Sequence, residues 1–298
     1  MPPALPADAR AAVLTWFDAR GRALAFRATR DPYAILVSEV MAQQTQISRV
    51  VEAWSRFLER FPTIATLASA SPADVLREWR GMGYDRRALN LHRAARMIVA
   101  EHGGEVPRDL AALQRLPGIG PYTARAVAAL AFGAPVGAVD TNVRRVLGRA
   151  LGGDAGLAPA VLQAAADASV DPERPGAWTH AVMDIGATIC RPARPDCEAC
   201  PMRPWCRFAA TSSTTAPRPR RRTPNEAAQQ PFHATTRWLR GRIVDRLREA
   251  DGPSWTVVSA RIGDHDTAAV ESALTALARD GIVELDPGQA RRARLAIA

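Results

Sequence analysis

The segment Leu116-Pro-Gly-Ile-Gly-Pro-Tyr-Thr123 lies between two stretches whose apolar residues recur at helical spacing. Gly118 and Gly120 permit positive φ, and they bring backbone N–H groups to the start of the following helix, where an anion such as phosphate can bind. Ile119 can point inward and anchor the turn. A Gly-x-Gly turn between helices is more often an ordinary connection. The phosphate-binding hypothesis gains support from Asp140, a carboxylate that follows the helix pair and begins another helix.

The first 210 residues are predicted to be mostly helical, since strand-like alternation is scarce. Ser71-Pro72 and Asp109 are predicted helix starts, and Gly81, Gly103-Gly104 and Gly133 are predicted ends. The fold class is therefore predicted to be all-α. Apolar residues recur at helical spacing in Ala34–Ile47, Val50–Phe61, Pro72–Arg80, Arg87–His102, Thr123–Ala131 and Asn142–Leu151.

The composition of the chain changes after residue 210. Residues 211–231 are rich in Pro, Ser, Thr and Arg without a helical period, which predicts a linker, with phosphate contact as a second possibility. In 232–298, helices at Trp238–Glu249 and Thr267–Asp280 precede two short strands, Gly281–Asp286 and Arg291–Ile297. This order predicts a small winged-helix-like α+β module. Such modules bind either DNA or proteins, and the sequence leaves both open.

The composition favours a soluble protein that binds a polyanion. Of the 298 residues, 47% are hydrophobic and 23% charged, and no apolar run is long enough to span a membrane. The start, Met1-Pro-Pro-Ala4, lacks the basic and apolar regions of a secretion signal, which predicts a cytoplasmic protein. The net charge is +9, and all 39 basic residues are arginine. Nucleic acid is a natural partner for such a charge.

All four cysteines lie close together, at Cys190, Cys197, Cys200 and Cys206. Disulfides are not expected without a secretion signal. Four thiolates this close favour a metal centre, either a zinc ion or an iron–sulfur cluster. Zinc ribbons usually carry two Cys-x2-Cys pairs, whereas this chain has one. The longer outer spacings favour the bulkier [4Fe–4S] cluster.

In this combination the chain resembles the helix-hairpin-helix DNA glycosylases, in which the hairpin, the aspartate and the cysteine loop have the same order and spacing over residues 12–207. Within that superfamily it is most similar to adenine DNA glycosylases of the MutY type. The most specific segments are Asp31-Pro-Tyr-Ala-Ile-Leu-Val-Ser-Glu-Val-Met-Ala-Gln-Gln-Thr-Gln46, Gly81-Met-Gly-Tyr-Asp-Arg-Arg-Ala-Leu-Asn-Leu-His92 and Met183-Asp-Ile-Gly-Ala-Thr-Ile-Cys190.

The resemblance implies a two-lobed HhH-GPD glycosylase domain over 1–210. The central helical lobe would cover about 29–141, and the N-terminal helix with 142–210 would form the lobe that carries the [4Fe–4S] loop. The implied function is base excision repair: a monomer associated with the nucleoid binds double-stranded DNA, flips out a mispaired adenine opposite 8-oxoguanine or guanine, and hydrolyses its bond to the sugar.

The resemblance also implies which side chains act. Glu39 matches the general acid that protonates the adenine ring, which requires a pKa raised by burial. Asp140 matches the residue that stabilises the sugar cation or bonds to it briefly. Without the resemblance, Glu39 would be read as an exposed helical glutamate and Asp140 as a helix N-cap.

Further roles follow from the same resemblance, each with an ordinary packing or surface role as its alternative. They are Tyr122 near the catalytic aspartate, Asn142 assisting Asp140, Arg27 beside the base pocket, Gln44 and Tyr84 as wedges at the lesion, and Gly118, Ile119 and Gly120 on the DNA backbone.

Bifunctional relatives carry a lysine where Tyr122 stands, and its amine forms a Schiff base with the sugar. This chain has no lysine. It is therefore expected to leave an abasic site without cutting the strand, although Pro2 would offer a secondary amine if Met1 were removed.

Two departures from the family pattern bear on specificity. The usual C-terminal β-rich domain that recognises 8-oxoguanine is absent from the sequence after residue 231, and Met41-Ala-Gln-Gln44 stands where Met-Leu-Gln-Gln is usual. A mismatch thymine or uracil glycosylase is one alternative, although Glu39 argues against it because a purine ring needs an acid. A DNA-binding iron–sulfur protein without catalysis is the other, and retention of both carboxylates argues against it.

Overall fold

The computed structural model describes residues 1–211, 231–250 and 252–297, so most of the predicted 211–231 linker lies outside the described residues. The first 211 residues are mostly helical, as the sequence predicts. Their helices are α1 (Ala7–Arg20), α2 (Pro32–Ala42), α3 (Ile47–Arg60), α4 (Ile64–Ser69), α5 (Pro72–Glu78), α6 (Arg86–His102), α7 (Leu110–Arg115), α8 (Pro121–Phe132), α9 (Thr141–Gly152), α10 (Pro159–Ser169), α11 (Pro175–Asp184) and α12 (Arg207–Thr211).

The predicted helix ends can be compared with the observed caps. Ser71 caps α5 by accepting a hydrogen bond from the backbone of Asp74, and Gly103 and Gly133 end α6 and α8 in the left-handed conformation. The prediction of one helix over Ala34–Ile47 is wrong at its end. The helix α2 stops at Ala42, because Gln44 has a φ of 56° and breaks the helical path.

Contacts divide the chain into two compact units. The first comprises Met1–Glu39, Pro107–Arg115 and Ile119–Arg221. Its core is built from α1, α9, α10 and α11, whose buried residues include Val13, Leu147 and Trp178. Helix α11 packs against α1, α8 and α9. A π-helical turn at Ile185–Ile189 continues from α11 into the cysteine segment.

The second unit comprises Val40–Val106, Leu116–Gly118 and the described residues of Arg222–Ala298. Helix α6 packs against α4 and α5, and α3 packs against α5. The buried ring of Trp79 meets Phe57 edge-on, with ring centroids 5.9 Å apart.

The C-terminal residues contain two helices and a small sheet. Helices α13 (Thr236–Arg248) and α14 (Thr267–Arg279) accompany strands β1 (Thr256–Val257), β2 (Val283–Leu285) and β3 (Arg292–Leu295). The sheet is antiparallel with the order β1-β3-β2, and Val283 pairs with Leu295. The two predicted helices and two predicted strands are confirmed. Helix α13 and strand β3 contact α5, so these residues pack within the second unit.

The α-helices of the described residues are between 5 and 17 residues long. Among them, none combines the length and the apolar character that a membrane span requires.

Candidate active site

Glu39 is buried in the first unit. It lies on α2, where all residues from Tyr33 to Met41 are buried and most are apolar, so the helix carries the carboxyl group into the interior. Only 7% of Glu39 is exposed, which contradicts the alternative of an exposed helical glutamate. Burial raises the pKa of Glu39 to about 7, and the negative charge of Asp140 contributes to the rise. At neutral pH a large share of this carboxyl group is therefore protonated.

Tyr122 is hydrogen-bonded to one of the two carboxyl groups and is influenced by the charge of the other. Its hydroxyl donates a hydrogen bond to Oε2 of Glu39 at 3.2 Å. Burial, followed by the charges of Glu39 and Asp140, raises the pKa of Tyr122 well above its ordinary value. The phenol thus stays neutral and remains a hydrogen-bond donor. Asp140 is close enough for its negative charge to raise the pKa of both Glu39 and Tyr122.

Asp140 is the N-cap of α9 and is held by two hydrogen bonds. One carboxylate oxygen accepts from the backbone N–H of Val143 at 2.7 Å, and the other accepts from the side-chain amide of Asn142 at 2.9 Å. The capping role proposed for Asp140 is therefore confirmed, and it fixes the carboxylate that a catalytic role would require. The position of Asn142 fits its predicted role of assisting Asp140.

A cavity of about 820 Å³ in the first unit is lined by Glu39 and Arg27. The guanidinium of Arg27 donates two hydrogen bonds of 2.8 Å to the carboxylate of Asp184, whose side chain is fully buried. Burial raises the pKa of Asp184, but hydrogen bonds from Arg27 and Arg22 outweigh it and bring that pKa below its usual value. The buried ion pair thus fixes Arg27 at the cavity wall.

Sequence reasoning missed His180 and Asp184 as components of this site. His180 lies on α11 and lines the same cavity as Glu39. Burial lowers its pKa to about 3, so the ring is neutral at physiological pH. Its Nδ1 is buried and has no hydrogen-bond partner in the described structure. Asp184 stands within the segment Met183–Cys190 that marked the family resemblance, but that segment gave no signal of its pairing with Arg27.

The hairpin residues have different backbone conformations. Gly118 has a φ of 80°, and a Cβ atom there would lie 2.8 Å from Cβ of Asn90, so only glycine fits. Ile119 is 4% exposed and points inward as predicted. Gly120 has a φ of −83° and precedes α8 as its N-cap. It therefore does not adopt the positive φ that a glycine permits.

Both predicted wedge residues have a left-handed backbone although neither is glycine. The φ angles are 56° at Gln44 and 49° at Tyr84, and both residues line a cleft of about 1100 Å³ in the second unit. Such conformations are costly and cluster at functional sites. Tyr84 is 39% exposed, which contradicts the alternative of a buried aromatic.

Arg87 connects the backbone segments that carry the two wedge residues. Its guanidinium donates to the carbonyl oxygens of Val40 and Met41, each at 2.9 Å, and to that of Gly83 at 3.1 Å. One side chain therefore holds the turn before Gln44 and the loop before Tyr84 in a fixed arrangement.

The four cysteines surround one small cavity in the first unit. Cys190, Cys197, Cys200 and Cys206 all line it. Burial raises the pKa of Cys200 to about 11. The guanidinium of Arg149 lies 3.4 Å from Sγ of Cys190. In the part of the chain that the structure describes, no group of three or more His, Cys, Asp or Glu side chains converges closely enough to hold one metal ion.

The chain is similar to a known protein family and to glycosylases from bacteria and mammals. Residues 37–167 match the family model of the HhH-GPD superfamily base excision DNA repair proteins. An adenine DNA glycosylase of Mycolicibacterium smegmatis is 40% identical over 275 residues, which cover 91% of each chain. The adenine DNA glycosylase of Homo sapiens is 43% identical over 211 residues, covering 66% of this chain and 39% of the human protein.

Among solved structures, a thermostable thymine-DNA glycosylase is similar with a TM-score of 0.64 and 30% identity, covering 68% of this chain and 95% of that one. An endonuclease III in a non-covalent DNA complex is similar with a TM-score of 0.57 and 26% identity, covering 67% and 93%.

Proposed function

The chain belongs to the adenine DNA glycosylases of the HhH-GPD superfamily, and from this premise we propose that Glu39 and Asp140 are its catalytic pair. The enzyme is a monofunctional hydrolase of N-glycosidic bonds in DNA that acts in base excision repair. The observation that carries the proposal is the burial of Glu39. Its carboxyl group has a pKa of about 7, accepts a hydrogen bond from Tyr122 and is influenced by the charge of Asp140.

The proposed reaction uses the two carboxyl groups differently. Protonated Glu39 gives its proton to a ring nitrogen of the flipped adenine, and the C1′–N bond breaks with its electron pair leaving on the base. The carboxylate of Asp140 stabilises the positive charge that develops on the sugar. Water then adds to C1′ and gives its proton to the carboxylate of Glu39, so the acid is restored and the products are free adenine and an abasic site. Burial raises the pKa of Glu39 to about 7, which lets this carboxyl group carry the proton that the reaction requires.

The surrounding residues are proposed to position the substrate and the acid. Tyr122 orients the carboxyl group of Glu39 through its hydroxyl. Arg27, held by Asp184, and the neutral ring of His180 line the cavity that would receive the base. Since the chain has no lysine and Tyr122 occupies the position of the lyase lysine, base release should leave the strand uncut.

The proposed partner is double-stranded DNA with a mispaired adenine, bound by a monomer. Gly118, Ile119 and Gly120 would contact the backbone, and Gln44 and Tyr84 would fill the gap left by the base. The left-handed conformations of Gln44 and Tyr84 support this assignment. The order of helices and strands over 231–297, with its antiparallel sheet, supports a winged-helix-like module.

We propose a [4Fe–4S] cluster as the cofactor. Four thiols line one cavity without converging as the ligands of a single tetrahedral ion do, and in a cluster each thiolate binds a different iron, which keeps the sulfurs apart. Arg149 supplies a positive charge next to Cys190. When bound, the cluster would cross-link residues 190–206 into one fixed segment.

The similarity to a thymine-DNA glycosylase structure makes that activity the second candidate. The protonated Glu39 favours adenine, because a purine ring must accept a proton before it leaves.

The test is base release from duplexes carrying A·8-oxoG, A·G, T·G, U·G and hypoxanthine pairs, scored with and without alkali. We expect release from the adenine pairs, with strand breaks only after alkali. Glu39→Gln and Asp140→Asn should each abolish release while duplex affinity remains largely intact. Undiminished release by either variant, or release of thymine alone, would contradict the assignment.

A further inference from the structure

The exposed ring of Tyr84 lies next to two guanidinium groups. The guanidinium carbon of Arg87 is 5.6 Å from the ring centroid, and that of Arg237 is 4.1 Å away. Arg87 lies in the first turn of α6, three residues after Tyr84. Arg237 instead belongs to α13, in the C-terminal residues 231–297, which contain none of the proposed catalytic residues. A cation at this distance over an aromatic face is attracted to it.

The module that carries Arg237 is fixed against the Tyr84 loop. Arg248 at the end of α13 is 4% exposed, pairs with Asp85 and donates to the carbonyl oxygen of Leu76 at 2.8 Å. Arg77 donates to the carbonyl oxygen of Gly252 at 2.6 Å. These contacts involve residues before and after the loop, so the position of Arg237 relative to Tyr84 is set by the largely buried Arg248 and by Arg77 rather than by the exposed side chain of Arg237 itself.

The location of Arg237 has no explanation in the stability of its own helix. Thr235 caps α13, and its hydroxyl accepts from the backbone of Trp238, which places Arg237 in the first turn. The positive end of a helix dipole disfavours a cation there. Within residues 231–250 and the Tyr84 loop, the guanidinium of Arg237 instead lies over the ring of Tyr84 and, at 5.9 Å, over the ring of Phe232.

We propose that Arg237 is a positioning residue for the Tyr84 wedge, so that opening of the DNA depends on the C-terminal module. An exposed ring on a left-handed backbone loses freedom when it enters the base stack. A cation that already restricts the ring reduces that entropic cost. The inference rests on the proposed function, because it presumes that an adenine must be extruded.

The experiment compares Arg237→Ala with Arg246→Ala, a matched control on the same helix that is 65% exposed and does not line the cleft. DNA opening is followed by the fluorescence of a 2-aminopurine placed beside the mispaired adenine. Base release is measured in single turnovers on that duplex and on one where the adenine faces an abasic analogue, so that no pairing has to be broken.

We expect Arg237→Ala to lower opening and release on the mispaired duplex by roughly two- to fivefold, the value of a partly exposed cation–π contact. The loss should be smaller opposite the abasic analogue, and Arg237→Lys should restore part of it because an ammonium also binds a ring face. Arg246→Ala should match the unaltered protein on both duplexes.

Three results would overturn the inference: equal losses on both duplexes, equal losses in the Arg246 control, or increased opening in Arg237→Ala, which would mean that the arginine restrains the wedge. If the unaltered protein released no adenine, the proposed function would fail instead, and the 2-aminopurine signal would still report whether Arg237 affects opening.

Discussion

At the level of single residues, the site depends on one carboxyl group that is protonated near neutral pH and another that is held as a hydrogen-bond acceptor. Glu39 reaches the first state by burial, and Asp140 reaches the second by capping α9 and accepting from Asn142. The same residue type at an exposed position could not hold a proton at pH 7. In the proposed mechanism, the local surroundings therefore decide which carboxyl group would act as the acid.

The pH dependence of base release follows from Glu39. Because the acid must be protonated and its pKa is about 7, the single-turnover rate should be level below about pH 6 and fall roughly tenfold per unit well above pH 7. The hydrogen bond from Tyr122 lowers the pKa of Glu39, so Tyr122→Phe should move the fall to higher pH. A pH–rate profile of both proteins tests this, and a fall at unchanged or lower pH in Tyr122→Phe would contradict it.

Some residues of this site can be predicted from the sequence, and others cannot. Sequence reasoning found Glu39, Asp140 and Tyr122 because they stand in specific motifs with a known order. It assigned no role to His180, because a histidine on a helix carries no sign of its burial or of an unpartnered Nδ1. It also missed the pairing of Asp184 with Arg27 and Arg22, since those residues are distant in sequence and only tertiary packing brings them together.

At the level of elements, α9 joins Asp140, the proposed cation-stabilising residue, to the cysteine segment. Arg145 on this helix donates to Oδ1 of Asn142 at 2.8 Å and to the carbonyl oxygens of Gly186 and Cys190, each at 2.6 Å. Asn142 in turn donates to Asp140. A Cβ atom at Gly186 would lie 2.5 Å from Cβ of Asn142, so the π-helical turn packs directly on this residue.

Removal of this connection should impair chemistry more than DNA binding. We expect Arg145→Leu to lower the single-turnover rate about tenfold, because Asn142 loses its anchor and no longer orients Asp140; that factor corresponds to about 1.4 kcal/mol, the upper range of one hydrogen bond. Duplex affinity serves as the readout for binding.

Arg144→Leu, an exposed neighbour on the same helix, is the matched control for Arg145→Leu. Gly186→Ala should reproduce the loss by displacing Asn142. Release at the unaltered rate in both Arg145→Leu and Gly186→Ala would show that the connection has no catalytic role.

The elements themselves were predictable where periodicity and caps agreed, as at α5, α6 and α8. The end of α2 was not, because the left-handed turn at Gln44 is stabilised by Arg87, whose hydrogen bonds come from a distant helix. A sequence pattern records local preference and contains no information on such a partner.

At the level of the whole molecule, the positive charge resides entirely on arginine, and DNA binding should respond accordingly. Duplex affinity is expected to fall steeply with salt, with a linear plot of log affinity against log salt concentration, because arginines displace counterions from phosphates. Fluorescence anisotropy between about 50 and 200 mM salt measures the slope. An affinity that hardly changes over this range would contradict phosphate binding as the main contribution.

The attachment of the C-terminal module can be tested through stability. Arg248→Met leaves Asp85, a largely buried carboxylate, without its partner, so the free energy of unfolding should fall by about 3 kcal/mol. The control Arg242→Met removes an exposed ion pair with Asp245 on the same helix. This change should alter the free energy of unfolding by less than about 1 kcal/mol. Urea denaturation of the three proteins provides the comparison, and similar values for both variants would refute a stabilising role for Arg248.

The buried position of Arg248 also limits how the domain organisation of this protein can change in evolution. A domain joined only by a linker can be lost or exchanged in one genetic event. Here the loss of the module would leave the carboxylate of Asp85 and the carbonyl oxygen of Leu76 without their partner Arg248. Replacement of the module would therefore require compensating substitutions around positions 76–85. Lineages that carry a different C-terminal domain should differ at those positions too.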